Sequence, residues 1–190
     1  MTRTDIINKF IISRNYLKYL EIGVRNPDSN FNKIRCAFKV GVDPNVDTTY
    51  RMTSDEFFKQ NTDVFDIIFI DGLHLEEQVD KDISNSLKCL SSTGVVILHD
   101  CNPISYDHQI EEYDYKSTWN GTVWKSFAKL RMKENNLSMY CINTDHGCGV
   151  IEHGIQQIFD KQIPLTYQSL EMNRKDMLNL INVDEFLAKF

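Results

Sequence analysis

The stretch FDIIFIDGLHLEEQVDKDI, residues 65–83, changes character at its middle. Its first half, with Val64 ahead of it, is almost wholly apolar, the pattern of a strand covered on both faces, as in a parallel sheet. In the second half and just beyond it, Leu75, Val79, Ile83, Leu87 and Leu90 recur at helical spacing, which leaves Asp80, Lys81, Asn85 and Lys88 to face water. Between strand and helix stand Asp71, Gly72, Leu73 and His74. They put a carboxylate and an imidazole beyond the carboxyl end of a buried strand, where ligands of open α/β sheets bind.

The same alternation continues on both sides. YLKYLEIGV (16–24) reads as a strand ending in glycine, and FKVGVDP (38–44) as a second strand stopped by Pro44. A brief third strand is expected around Tyr50–Met52, then a helix capped by Ser54, whose Asp55 and Glu56 suit the positive end of a helix. TGVVILHD (93–100) is the next buried strand, and Thr122–Lys133 reads as a helix with Val123, Phe127 and Leu130 inward. LSMYCIN (137–143) and CGVIEH (148–153) look like closing strands, and the tail after Pro164 is expected to be helical. Strands and helices in this order predict an α/β fold, a parallel sheet with helices on both faces.

Composition narrows the function. A chain of 190 residues reads as one domain, residues 1–190, long enough to bury a sizeable core. Its 42% hydrophobic and 25% charged residues are ordinary for a globular protein. The formal charge of −6 argues against general binding to a phosphate backbone, so no nucleic-acid partner is expected. No apolar run approaches the ~20 residues of a membrane span, and residues 1–20 lack the apolar core of a secretory signal. Cys36, Cys89, Cys101, Cys141 and Cys148 form no CxxC pair, consistent with reduced thiols and a cytoplasmic location.

Chemistry gathers at the predicted strand ends. Gly23 lets the backbone come close to a ligand beside Glu21, although no G-x-G-x-x-G follows, which argues against a dinucleotide and a nicotinamide oxidoreductase. The plain alternative is a turn glycine and a strand-end glutamate. Asp43 is placed to accept hydrogen bonds from a ribose diol; Asp-Pro-Asn also makes an ordinary turn, and beside Glu21 the ribose reading is the better one. If the strands carrying them are adjacent, Asp71 and Asp100 converge and need positive charge between them, which a hard divalent cation such as Mg²⁺ would supply. His99 either adds a nitrogen ligand or points into the core. His74 sits near a helix start, where the dipole is expected to lower its pKa and keep it neutral, able to take a proton from a hydroxyl. As a lone residue it would read as a capping or packing histidine. Tyr106, His108, Tyr113, Tyr115 and Trp119 fall in an irregular stretch, 102–120, that reads as an acceptor lid. Trp124, on the following helix, reads as buried.

Taken in order, YLEIGV, GVDP, FDIIFIDGLHLEEQV, GVVILHDCNP and WNGTVWKSF resemble class I S-adenosylmethionine-dependent methyltransferases, in particular the methyltransferase-24-like group, over residues 16–153. The resemblance implies a Rossmann-like seven-stranded sheet, mostly parallel, with its last strand antiparallel. It implies S-adenosylmethionine as cofactor, with Glu21 and Gly23 beside its methionine part and Asp43 on its ribose. Ser54 and Asp55 would border the adenine, and Asp71 and Gly72 the methyl-donor end. The first motif is reduced, with one glycine where many members have two or three.

A looser similarity to metal-dependent macrolide and catechol O-methyltransferases implies acidic metal ligands at Asp71 and Asp100 and a general base at His74. This chain departs from the macrolide group at His99, where a glutamate is usual. The function these readings imply is O-methyl transfer to a hydroxyl of a small molecule or sugar. His74 and Asp71 are its catalytic residues, and a divalent metal on Asp71, His99 and Asp100 is a possible aid. The alternative is a non-catalytic cofactor-binding or interaction module of the same fold.

Overall fold

A computed structural model describes residues 1–113 and 118–190. Tyr115, one of the expected lid aromatics, lies outside the described residues. The seven strands run, in chain order, β1 (Lys18–Ile22), β2 (Phe38–Val42), β3 (Phe65–Ile70), β4 (Leu90–Leu98), β5 (Leu137–Ile142), β6 (Cys148–His153) and β7 (Leu180–Ile181). They form one sheet in the order β2-β1-β3-β4-β6-β5-β7. The first four lie parallel, and β6 is antiparallel to both its neighbours, β4 and β5. β6 is the last of the long strands; the two-residue β7 follows it and pairs parallel with β5.

The apolar stretch that opens the reading does what its pattern requires. In β3, Ile67 and Phe69 face one layer and Ile68 and Ile70 the other, and all four are buried. One layer is closed by α2 (Ser54–Gln60), α3 (Glu76–Lys88), α4 (Val123–Lys133) and α5 (Tyr167–Met177), through Phe57, Val79, Ile83, Trp124, Phe127 and Leu170. Trp124 is thus core, as expected. The other layer is closed by α1 (Arg3–Arg14) and α6 (Val183–Leu187), through Ile6, Ile7, Phe10 and Phe186. Burying each of these side chains contributes roughly 1.5–3 kcal/mol.

Local details differ from expectation at the cap of α2 and at residues 50–52, and one helix is added. Helix α1 was not foreseen, yet Thr2 and Asp5 form a reciprocal capping box that opens it, and Ile6, Ile7, Phe10 and Ile11 recur on one face. The cap of α2 is Thr53, paired with Glu56, so Ser54 is the first helical residue and not the cap. The third strand expected at 50–52 shrinks to a single bridge between Val42 and Tyr50. The tail after Pro164 carries two helices, α5 and α6, with β7 between them. No helix among the described residues is long and apolar enough to cross a membrane.

Register sets the site. Ile22 pairs with Ile70, and Ile70 with Leu98. Gly23, Asp71 and His99 therefore leave the sheet side by side at its carboxyl edge.

Candidate functional site

A cleft of about 990 Å³ opens at that edge. Of the residues singled out from the sequence, it is lined by Glu21, Gly23, Asp43, Ser54, Asp55, Asp71, Gly72, His74, Tyr113 and Trp119. Tyr106 does not line it; it is exposed and packs its ring edge-on against Tyr167. His108 does not line it either: its carbonyl accepts the N–H groups of Asn120 and Gly121, a role in shaping the loop.

Gly23 is required by the crossing of two strand ends. Its φ is +88°, and a Cβ there would lie 2.2 Å from the carbonyl oxygen of Asp71. That conformation and that closeness suit glycine alone. Glu21, one turn of the pleat earlier, is almost fully buried and accepts hydrogen bonds from the Tyr19 hydroxyl and from Asn30 Nδ2 (3.0 Å). Burial pushes its pKa up to about 7, against the pull of those two donors. Asp43 does make the expected turn: it accepts the N–H groups of Asn45 (2.8 Å) and Val46 (3.3 Å), and that of Arg25 (2.9 Å). A carboxylate has roughly four acceptor sites, so a further donor can still be received.

At the other wall, Gln78 Nε2 gathers Ser54 Oγ, Asp55 Oδ1 and Asp82 Oδ1, each at 3.1 Å. Asp82 is buried, and burial raises its pKa to about 6. Gln78 and Asp82 line the cleft but were not picked out from the sequence, because their helix reads simply as amphipathic.

The densest chemistry surrounds Asp71. His74 Nε2 lies 3.2 Å from Asp71 Oδ1, and His74 Nδ1 lies 3.3 Å from the Trp119 carbonyl and 3.4 Å from Asp100 Oδ2. The His74 ring stacks on Trp119. Its backbone is fixed from α4's approach: Thr122 N–H donates to the His74 carbonyl (2.9 Å), and the Thr122 hydroxyl accepts Glu76 N–H (2.8 Å). α3 starts only at Glu76, after Leu75, so His74 precedes the helix. The expected lowering of its pKa is reversed. Burial does push it down, but the carboxylates of Asp71 and Asp100 outweigh burial and raise it.

His99 turns toward the site, the first of the two orientations considered. In a regular strand His99 and Asp100 would face opposite sides. β4 stops at Leu98, and Asp100 adopts a left-handed conformation (φ +61°). Both side chains thereby reach one cluster, with His99 Nδ1 at 2.9 Å from Asp100 Oδ2 and 3.3 Å from Asp71 Oδ1. Asn120 Nδ2 donates to Asp100 Oδ1. Two further residues, both missed from sequence, complete the cluster. Arg3, at the start of α1, places Nη1 3.2 Å from His99 Nε2 and Nε 3.8 Å from Asp71 Oδ2. Asp145, in the β5–β6 turn, lies 3.5 Å from His99 Nε2 and accepts the Arg3 backbone N–H at 2.6 Å. Burial opposes ionisation of Asp71 and Asp145, but His99, with His74 at Asp71 and Arg3 at Asp145, holds both well below the usual carboxylate range. The same carboxylates raise the pKa of His99 well above that of a free imidazole, against burial.

Asp71, His74 and Asp100 each offer a ligand atom within 4.8 Å of the others, close enough to share an ion. The donors nevertheless do not match a hard divalent cation. Mg²⁺ takes an octahedron of oxygens and retains several waters. Here the facing carboxylate oxygens are bridged by two imidazoles, and a guanidinium stands behind them.

Comparison with known proteins agrees with this architecture. Residues 20–101 match the family model described as a methyltransferase domain, Methyltransf_24. No curated protein matches the chain. Among solved structures, the O-methyltransferase TomG from Streptomyces achromogenes, in complex with SAM, is 12% identical, with a TM-score of 0.58 over 80% of this chain and 79% of its own. The O-methyltransferase from Bacillus cereus, in complex with SAH, is 14% identical, with a TM-score of 0.55 over 82% of each chain. MycE from the mycinamycin biosynthetic pathway, in complex with Mg, SAH and mycinamycin VI, is 15% identical, with a TM-score of 0.53; the match covers 85% of this chain and 51% of MycE. At such identities the likeness is one of fold. Over residues 20–101 the chain matches the methyltransferase-24 domain model, and the order of its seven strands is that of the class I S-adenosylmethionine-dependent methyltransferase fold.

Proposed function

We propose that the protein is an S-adenosylmethionine-dependent O-methyltransferase whose acceptor is a hydroxyl of a small molecule or sugar. The observation that carries this reading is one cleft lined by Glu21, Asp43 and Asp82 together with the Asp71–His74 pair. TomG and the Bacillus cereus enzyme are named O-methyltransferases, which supports a hydroxyl acceptor, and MycE is described with mycinamycin VI, which supports a small-molecule one.

In this reading Glu21 receives the ammonium of the methionine part, and Asp43 uses its remaining acceptor capacity on the ribose hydroxyls. Ser54, Asp55, Gln78 and Asp82 border the base. The cofactor carries a sulfonium, and a cleft with five carboxylates, at Glu21, Asp43, Asp55, Asp71 and Asp82, favours a cation. Bound S-adenosylmethionine would supply the methyl group to the acceptor oxygen by direct displacement, the electrons of the broken carbon–sulfur bond staying on the sulfur of S-adenosylhomocysteine. Neutral His74 takes the hydroxyl proton, and Asp71 and Asp100 stabilise the imidazolium so formed. Alignment of donor and acceptor supplies most of the remaining acceleration. No step is assigned to a metal, since the donor set does not fit one.

The test is methyl transfer to a panel of hydroxylated small molecules and sugars, read by mass spectrometry. Wild type is expected to add a single methyl group to at least one acceptor, and His74→Ala to lose that activity while still binding S-adenosylhomocysteine. Binding without transfer across the panel would contradict the reading and leave a non-catalytic module.

A further inference from the structure

We propose that Arg3 and His99 form a built-in cation that takes the place of a divalent ion at the Asp71–Asp100 pair, so that Arg3 and His99 are positioning residues for His74. The proposal rests on the methyltransferase reading above and concerns the same site.

Two carboxylates aimed at one point need positive charge between them. His99 Nδ1 fills that point, 2.9 Å from Asp100 Oδ2 and 3.3 Å from Asp71 Oδ1. Behind the ring, Nε2 faces Arg3 Nη1 at 3.2 Å and Asp145 Oδ1 at 3.5 Å. Arg3 lines the cleft, and its buried Nε has no hydrogen-bond partner among the described residues; it lies 3.8 Å from Asp71 Oδ2. Three carboxylates, Asp71, Asp100 and Asp145, therefore meet one guanidinium and two imidazoles. An incoming dication would face the fixed charge of Arg3 and would have to displace His99 from both of its acids.

The backbone supplies an independent argument. Asp145 and His146 both have positive φ, +46° and +63°, and Gly147 follows at +91°. Positive φ is uncommon outside glycine, and Asp and His are among the residue types that adopt it. This run delivers Asp145 to Arg3, and Thr144 Oγ1 also binds the Met1 carbonyl, at 2.6 Å. The turn thus clamps the start of α1 over the site. With the left-handed Asp100, left-handed turns on two loops hold His99 and Arg3 against the acid pair.

The orientation of Asp71 and Asp100 then follows from the protein alone, and Asp71 in turn fixes the His74 ring. The experiment has a binding arm and a turnover arm. Wild type, dialysed against chelator and titrated with Mn²⁺ in a calorimeter and by electron paramagnetic resonance, is expected to bind no stoichiometric ion, and turnover is expected to be unchanged by chelator. The double variant Arg3→Met/His99→Glu, which restores an all-acid set, is expected to gain one Mn²⁺ site. A stoichiometric ion in wild type, loss of wild-type turnover in chelator, or a double variant that binds no Mn²⁺ would each overturn the proposal.

If the double variant does not fold, the single variants decide. Arg3→Met should lower kcat at least tenfold with S-adenosylhomocysteine affinity unchanged, and Arg3→Lys should recover most of the loss. Equal turnover in Arg3→Met and wild type would overturn the role of Arg3. The Mn²⁺ arm needs no turnover, so failure of the proposal and failure of the methyltransferase reading give different results.

Discussion

The Trp119 indole lies flat on the His74 imidazole, with ring centroids 4.9 Å apart and planes 12° apart. Tyr113 meets the Trp119 ring edge-on at 5.1 Å, and Trp119 Nε1 anchors to the Ile110 carbonyl at 2.8 Å. The aromatic loop thereby orients the candidate base, and in the proposed function it also walls the acceptor. Trp119→Ala should reduce turnover roughly 10- to 100-fold, the worth of about 1.4–2.8 kcal/mol in barrier, with cofactor affinity within about twofold of wild type. Steady-state kinetics beside calorimetry check it; an equal loss of cofactor binding would move Trp119 out of the acceptor side.

His74 has to be neutral to accept a proton, and its pKa is raised by Asp71 and Asp100. The sign follows: below that raised value the imidazole is already protonated and turnover is low, and activity climbs to a plateau as pH rises through it. Asp71→Asn removes one of the two carboxylates and should shift the rising limb to lower pH. His74→Ala should cost about 10²–10⁴-fold in kcat, the usual worth of a general base. A rate independent of pH through the range where imidazoles titrate would remove the base from this account.

Glu21 gives a second pH dependence. Burial lifts its pKa to about 7, and an ammonium of the cofactor is best received by the ionised form. Affinity for S-adenosylhomocysteine should therefore fall as pH drops below 7 and level off above it. Stability runs the opposite way. The folded pKa exceeds the unfolded value of 4.5, so the native state holds more protons between 4.5 and 7 and loses stability as pH rises across that window. Glu21→Gln should be more stable than wild type above the window, by on the order of 3 kcal/mol at most, and should bind the cofactor poorly. Thermal melts and titrations at paired pH values test both signs.

Gly23 and Gly72 should separate cleanly. An alanine at 23 combines φ +88° with a Cβ 2.2 Å from the Asp71 carbonyl, whereas at 72 the nearest atom is Ile22 Cγ2 at 3.4 Å. Gly23→Ala should cost about 3 kcal/mol or more, from left-handed strain and overpacking together. Gly72→Ala should cost about 1 kcal/mol or less, as an ordinary contact. Chemical denaturation of the two variants reads the contrast.

What could be read in the sequence was local. The apolar run 65–70 declared a strand buried on both faces, and the adjacency of strand ends brought Glu21, Asp43, Asp71 and His74 to one rim. Arg3 and Asp145 escaped because nothing in their neighbourhoods marks a ligand; they meet only when α1 packs beneath the sheet and the β5–β6 turn closes on it. Thr2 and Asp5, with Ile6, Ile7, Phe10 and Ile11, did carry the signal for that helix. The orientation of His99 depended on the left-handed turn at Asp100, which strand alternation does not foretell. His74 was assigned the wrong direction of pKa shift because the charge of two acids outweighs a helix that begins only after it.

In the proposed function the cleft lined by Glu21, Asp43 and Asp82 holds the adenosyl cofactor, and calorimetry with S-adenosylhomocysteine tests that most directly. Wild type should bind one equivalent. Asp43→Asn can keep the turn contacts to Asn45 and Val46 through its side-chain carbonyl, but its amide replaces the oxygen that accepts Arg25 N–H and offers the ribose a weaker acceptor, and it should bind about tenfold more weakly, near 1.4 kcal/mol. No heat with wild type at saturating ligand, or identical affinity in Asp43→Asn, would contradict it.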